Sequence, residues 1–395
     1  LENASSQTLS SAGGKRMDIP TKQLRVLHIC QRDDPATGGA VRVAAEYVKH
    51  LPNYEVDAHC LFLYGSPGCF QTELGEHRTH YLRIQNSREF LKFRRLLHFL
   101  HKFQPQIIHH HDGLLWSHLL TFSHRGVVKI AHAHLGAESG GLLSRSALAA
   151  WLQRQSTDLL IGITEDTRKS HIEQGRYIAN RTQVLYNGVD RDRFYPPTDT
   201  ERAIARRQFG LPTDIPVIGF VGRLHCQMKG TDDFLKAIAL LPSHFWALVV
   251  GAGPDADNLK QLATTLGIAE RVVFTGIVEN PTPAYHSMDV FCLTSHWEPF
   301  GLVVAEAMAC RVPVVGLPCQ GGVNELLTPE TGCVLPYRDL EAMAQAVIEA
   351  IKYPERWYQR HTKAASVLEH NHNWEKNTSR LAQLYKEVLN KATDI

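Results

Sequence analysis

The chain has 395 residues, a net charge of +2 and an apolar fraction of 44 %. That length accommodates two or three domains, and the composition is that of a protein with a sizeable buried core. No window approaches the ~18 consecutive apolar residues of a membrane span, and the near-balanced charge gives no reason to expect a nucleic-acid partner.

Residues 1–21 are rich in Ser, Ala, Gly and Asn and lack an apolar signal core, so they read as a disordered, tag-like extension. The first strand is Leu24–Cys30. Gly38-Gly39-Ala40 then opens an amphipathic helix to about His50, and glycines there let the backbone approach a ligand closely. The pattern is neither the G-x-G-x-x-G dinucleotide fingerprint nor a P-loop. Residues 21–190 hold about 20 Lys plus Arg against about 15 Asp plus Glu. The excess peaks in Arg88–Lys102, where Leu91, Leu96, Leu97, Phe99 and Leu100 alternate with Lys92, Arg94, Arg95 and Lys102. Such a helix either packs on a sheet with a solvated basic face or lies on an anionic membrane surface.

The run Val128–His134 is a strand ending in a histidine, with a glycine-containing loop after it. His109, His110, His111, His132 and His134 raise the question of zinc, which needs three or four convergent ligands. Neighbouring residues on a strand point to opposite faces, so His109, His110 and His111 cannot all converge, and no metal site is expected. Asp158–Thr164 is a strand leading into a polar helix start. Val184–Asp190, with Phe194 and Pro196, closes the first half, and Gly188–Pro197 reads as a linker.

In the second half, Pro216–Val221 is a buried strand that ends at Gly222, and a helix starts near Thr231. Arg223 and Lys229 share the intervening loop. Two cations there can neutralise a diphosphate, although an exposed basic loop would look the same. Further on, the strand Val290–Thr294 leads to Glu298-Pro-Phe-Gly-Leu-Val-Val-Ala-Glu306. Glu298 falls in a loop, and Glu306 is expected about two turns into a helix opening near Gly301. The helix mouth offers free N–H groups at Phe300, Gly301 and Leu302. Two acceptor carboxylates beside a donor-rich mouth suit a sugar attached to a diphosphate. Val312–Gly316 is a strand before a short helix at Gly321–Glu325, and a last helix runs from Trp374 to about Lys391. Asp190-Arg-Asp192 and Asp255-Ala-Asp257 match a D-x-D metal pattern, but both fall in turns where Asp is common. Eight scattered cysteines without a C-x-x-C pair fit free thiols in a reducing cytosol.

Alternating strands and helices give an α/β protein with parallel sheets, whose ligands bind at the strand C-terminal ends. The expected units are 22–190, 198–372 and a final helix over 373–395.

The Glu298-x7-Glu306 segment, the Arg223/Lys229 loop, the Gly38-Gly39 pair and Ile130-Ala-His-Ala-His134 resemble the motifs of retaining glycosyltransferases of family 4. The resemblance covers roughly residues 24–390. It implies the GT-B fold: two doubly wound, Rossmann-like domains facing a central cleft, the first on the acceptor side and the second holding the nucleotide sugar, with the C-terminal helix crossing back to pack on the first domain. It implies that Arg223 and Lys229 hold the donor diphosphate, Glu298 the sugar hydroxyls and Glu306 the ribose. His134 would face the sugar near its anomeric carbon, Gly38 and Gly39 would line the donor phosphate, and Ile277 and Val278 would contact the base. The mouth at Phe300, Gly301 and Leu302 completes the donor site. The loop from Arg223 to Lys229 is one residue longer than the commonest form. No cofactor is implied beyond the nucleotide-diphosphate sugar itself, and no metal. The acceptor would be a glycan or lipid-linked hydroxyl in polysaccharide, lipopolysaccharide or glycolipid assembly. Acceptor contacts would come from loops 64–80 and 135–147, and the setting would be cytoplasmic, with peripheral attachment to the inner membrane face left open. A nucleotide-sugar 2-epimerase and a non-catalytic sugar-nucleotide-binding relative are the alternatives.

Overall fold

A computed structural model describes residues 23–34, 39–84, 94–111, 117, 118, 121, 126–137, 151–175 and 177–393. The expectations for residues 1–21, Gly38, residues 88–93 and most of the 135–147 loop therefore lie outside the described residues.

Seven strands form the first sheet: β1 Leu24–Arg32, β2 Val56–Tyr64, β3 Thr79–Ile84, β4 Ile107–His110, β5 Val128–Ala133, β6 Leu159–Gly162 and β7 Thr182–Val184. Six form the second: β8 Val217–Val221, β9 Trp246–Val250, β10 Val272–Gly276, β11 Val290–Leu293, β12 Val314–Gly316 and β13 Cys333–Val334. The spatial orders are β3-β2-β1-β4-β5-β6-β7 and β10-β9-β8-β11-β12-β13, with every pairing between these strands parallel. Both orders reverse beside the first strand of their own half, which is the doubly wound arrangement with its ligand crevice at the reversal point.

The near-continuous apolar runs are what parallel strands covered on both faces require. In β1, Val26 and Cys30 feed a core beneath the helix Gly39–His50, while Leu27 and Ile29 feed another on the opposite face. The helix Arg94–Phe103 covers that second face with Leu96 and Leu100, and leaves Arg94, Arg95, His98, His101 and Lys102 exposed. Its apolar stripe is thus spent on the sheet. Loop 64–80 contains a short helix, Cys69–Leu74.

The helix Trp374–Thr393 crosses back onto the first half. Leu381, Ala382, Leu384 and Tyr385 share a core with Val43 and Tyr47, and the Trp374 and Tyr47 rings meet edge-on at 5.3 Å. The crossing is stitched to the chain around Gly188. His372 O accepts from Val189 N (2.8 Å), and Asn377 Nδ2 donates to Tyr186 O (2.9 Å). Among the described residues no helix is long and apolar enough to cross a membrane, and all eight cysteines are free thiols.

Candidate active site

The strand C-termini of both halves open onto one cleft of about 2410 Å³. From the first half, Gly39 and His134 line it; from the second, Arg223, Lys229, Ile277 and Val278 do. Glu298, Phe300, Gly301, Leu302 and Glu306 form another part of its wall.

The strand-to-helix connection after β8 is not the plain loop the sequence implies, because Cys226–Lys229 forms one short helical turn. Gly230 then takes φ +59°, and a side chain there would lie 2.1 Å from Thr294 O, so the turn seats directly on the end of β11. Thr294 Oγ1 donates to Lys229 O at 3.1 Å. This seating brings Lys229 Nζ to 2.5 Å from Glu298 Oε2, an oxygen that also accepts from Ser295 Oγ at 3.4 Å. Glu298 is anchored by its own backbone, donating to Gln320 O (2.8 Å) and accepting from Val323 N (3.2 Å). Arg223 is exposed to the cleft, and among the described residues no carboxylate pairs with its guanidinium.

Gly301 caps the helix Leu302–Ala309 with φ +86°, and a side chain there would lie 2.7 Å from Val323 Cγ2. The amides of Phe300, Gly301 and Leu302 have no partner among the described residues, so the helix start presents free donors and a partial positive charge. Across the cleft begins the helix Gly39–His50. A side chain at Gly39 would come within 3.0 Å of Leu302 Cδ1, so two helix starts face each other. Glu306 is the fifth residue of its helix, just over one turn in rather than two, since a turn takes about 3.6 residues. Its Oε2 accepts from Tyr285 Oη at 2.6 Å. Desolvation pushes its carboxyl up to about 7, with the Tyr285 bond opposing the rise. Ile277, 73 % exposed, and Val278 follow the Gly276 turn after β10.

The histidines behave differently from expectation. His110 does turn away, stacking on His118 at 3.9 Å between ring centres. His109 and His111 share the other face and meet His132, His134 and His28 from the adjacent strands. Ring nitrogens lie 2.9 Å apart for His28–His111, 3.0 Å for His111–His134 and 3.2 Å for His109–His132. The alternation rule was sound for three consecutive residues but missed convergence between i, i+2 pairs on paired strands. Burial holds all five imidazoles well below their ordinary range, His28 and His134 at about 3.

Sequence comparison matches residues 37–193 to the model described as Glycosyltransferase Family 4 and residues 215–353 to that described as Glycosyl transferases group 1. A D-inositol 3-phosphate glycosyltransferase of Thermomonospora curvata is 31 % identical over 301 residues, covering 70 % of this chain and 68 % of the relative. The chain belongs to glycosyltransferase family 4. A GDP-mannose-dependent alpha-(1-6)-phosphatidylinositol monomannoside mannosyltransferase of Mycolicibacterium smegmatis is 36 % identical over 210 residues, 50 % of this chain and 54 % of that protein. The chain spans about half the length of the first curated relatives it matches. Among solved structures, Anabaena HepE in complex with UDP-glucose superposes with a TM-score of 0.80 at 22 % identity, covering 92 % of this chain and 100 % of that one. The fold is GT-B, as in other family 4 members.

Three sets of contacts, two in the cleft and one between the halves, escaped the sequence. Lys229 and Glu298 are 69 positions apart, and Tyr285 precedes Glu306 by 21. Glu325 reaches the first half, accepting from Glu165 N (3.0 Å), Asp166 N (2.7 Å) and Tyr186 Oη (2.9 Å). No local pattern marks any of these pairs, because each depends on how separate elements pack.

Proposed function

We propose that the chain transfers a sugar from a nucleoside-diphosphate donor to an acceptor hydroxyl, with retention at the anomeric carbon. The observation that carries this reading is the charge arrangement in the cleft: an Arg223 without a carboxylate partner among the described residues, a Lys229 held by Glu298, and a helix mouth whose amides have no partner among those residues. Arg223 and Lys229 receive the diphosphate, and Glu306 takes the ribose. Glu298 both aims Lys229 and accepts sugar hydroxyls, while His134 approaches the sugar from the opposite wall. Ile277 and Val278 flank the base, with Gly39 beside the phosphates. On this reading the second half holds the donor and the first half the acceptor. Catalysis is positioning plus stabilisation of the leaving diphosphate, which itself draws the acceptor proton.

Two cations in place of a metal bridge predict transfer without added Mg²⁺ or Mn²⁺. Loss of activity in EDTA that Mg²⁺ or Mn²⁺ restores would contradict this. A panel of nucleotide sugars, followed by release of nucleoside diphosphate, tests the reaction itself. Transfer or slow hydrolysis supports it, whereas epimer formation or binding without turnover rejects it. Thermal stabilisation by UDP, GDP and ADP, measured side by side, identifies the base.

The acceptor class on this proposal is a glycan or glycolipid hydroxyl, in keeping with the lipid-linked substrate in the name of the mycobacterial relative. The exposed basic face of Arg94–Phe103 supplies an electrostatic route to the cytoplasmic leaflet, at about 1 kcal/mol per Lys or Arg near the surface. Co-sedimentation with anionic vesicles at low salt is expected, and its persistence in Arg94→Glu/Arg95→Glu would exclude this face.

A further inference from the structure

His28, His109, His111 and His132 take no part in the transfer reaction proposed above, yet they meet His134 at the wall of the cleft. Their hydrogen bonds form one chain. It runs from His134 to His111 (3.0 Å), His28 (2.9 Å), Tyr385 (3.4 Å), His109 (2.6 Å) and His132 (3.2 Å). The chain stops at His132 Nε2, which is buried without a partner in a residue 4 % exposed. A second buried orphan, Tyr47 Oη, belongs to a ring 6.0 Å from that of His132. A core made only for packing would fill this space with apolar side chains. Buried polar atoms without partners call for a ligand, a water or an ion.

We propose that His111, His132 and His134 form a three-imidazole site for a divalent transition metal such as zinc, nickel or cobalt, with its fourth position open to the cleft. Their ligand nitrogens all lie within 4.8 Å of one another. Metal–nitrogen bonds of about 2.0–2.1 Å at tetrahedral angles set ligand nitrogens roughly 3.3 Å apart. The His111–His134 pair at 3.0 Å is already near that separation, and His132 brings the free nitrogen. Support comes from behind: His132 Nδ1 rests on His109 Nε2 and His111 Nε2 on His28 Nδ1. Such outer contacts fix ring orientation in metal sites. All three rings line the cleft, which gives an ion its way in. The triad His28, His109 and His111 is equally compact, but His28 and His109 are sealed at 0 % exposure and are bonded at both nitrogens. An all-imidazole set does not suit Mg²⁺, Ca²⁺ or Mn²⁺, which prefer oxygen ligands. The site therefore stands independently of the metal-free handling of the diphosphate.

The test uses the full chain without an affinity tag, stripped with chelator and titrated with Co²⁺ and then Zn²⁺. One equivalent of Co²⁺ with intense visible bands of tetrahedral type, displaced by Zn²⁺ and unaffected by Mg²⁺, is expected. Outer-shell partners alone carry about 10- to 100-fold in metal affinity, so His132→Gln and His111→Gln should each weaken binding at least ~100-fold. His110→Gln, on the opposite face of the strand, should bind as wild type. Circular dichroism establishes that each variant is folded, and the wild-type Co²⁺ spectrum decides the matter without any variant. No stoichiometric uptake, weak octahedral bands, or wild-type affinity in folded His132→Gln and His111→Gln would overturn the proposal.

Discussion

Glu306 ties the site to pH. Its folded carboxyl is raised to about 7 by desolvation, so the free protein carries it protonated below that point and ionised above. A ribose diol presents two O–H donors, and only the ionised form accepts both without a competing proton. Donor binding therefore favours proton release, and affinity should strengthen as pH rises toward about 7 and level off above. Nucleotide-sugar Kd against pH measures this, since the diphosphate diester does not titrate in that range. Glu306→Gln should flatten the curve, and a flat wild-type curve would reject the role. Lys229→Ala and Glu306→Ala should each cost about 2–4 kcal/mol of transition-state stabilisation, roughly 30- to 1000-fold in turnover. Near-normal turnover in both folded variants at saturating donor would remove the basis of the proposal. At this scale, the residue pattern together with the family resemblance marked Arg223, Lys229, Glu298 and Glu306 as candidates. It could not show that Lys229 rests on Glu298, because that contact needs the turn at Gly230 to sit on the end of β11.

That turn is the element on which the site depends most. Gly230 joins the Cys226–Lys229 turn to the helix Thr231–Leu240 in a left-handed conformation, hard against a backbone carbonyl. In Gly230→Ala the conformation alone costs about 1–2 kcal/mol. The added methyl cannot be absorbed by a side-chain shift, since its neighbour is Thr294 O. We expect a lower melting temperature together with a fall in turnover larger than the stability loss explains, because Lys229 is carried off Glu298. Denaturant titration and donor turnover on the same preparation separate the two effects; destabilisation with unchanged kinetics would show that the turn does not aim Lys229. Most elements were legible because buried parallel strands leave continuous apolar runs such as Val217–Val221 and Val290–Leu293. The short turn at Cys226–Lys229 left no such trace, since four residues carry no period. The histidine cluster was missed for a different reason: the strand pairing that brings β1, β4 and β5 side by side is a property of topology, not of any one segment.

At the scale of the molecule, Glu325 supplies three polar bonds between the two halves among the described residues. It accepts from the first two amides of the helix Glu165–Glu173 and from Tyr186 Oη. A carboxylate from one half thus caps a helix of the other, favoured by free N–H groups and by the helix dipole. Beside it, a side chain at Gly322 would lie 2.3 Å from Thr164 Oγ1 and 2.4 Å from Pro299 O, so the backbones close tightly over the segment that carries Glu298. These contacts tie the two halves together where the helix starts at Gly39 and Leu302 are opposed. In Glu325→Ala, losing about 1.5 kcal/mol of charge-assisted bonding should favour a wider arrangement of the halves by roughly tenfold. Neither core is touched, so the melting of each half should change little. Without donor, small-angle scattering should report a larger radius of gyration than wild type, and saturating donor should restore it. Turnover should then show a raised KM with kcat nearly kept, since binding rather than chemistry must do the extra closing. Identical scattering and an unchanged KM would mean that the crossing helix Trp374–Thr393, and not Glu325, sets the relation of the halves.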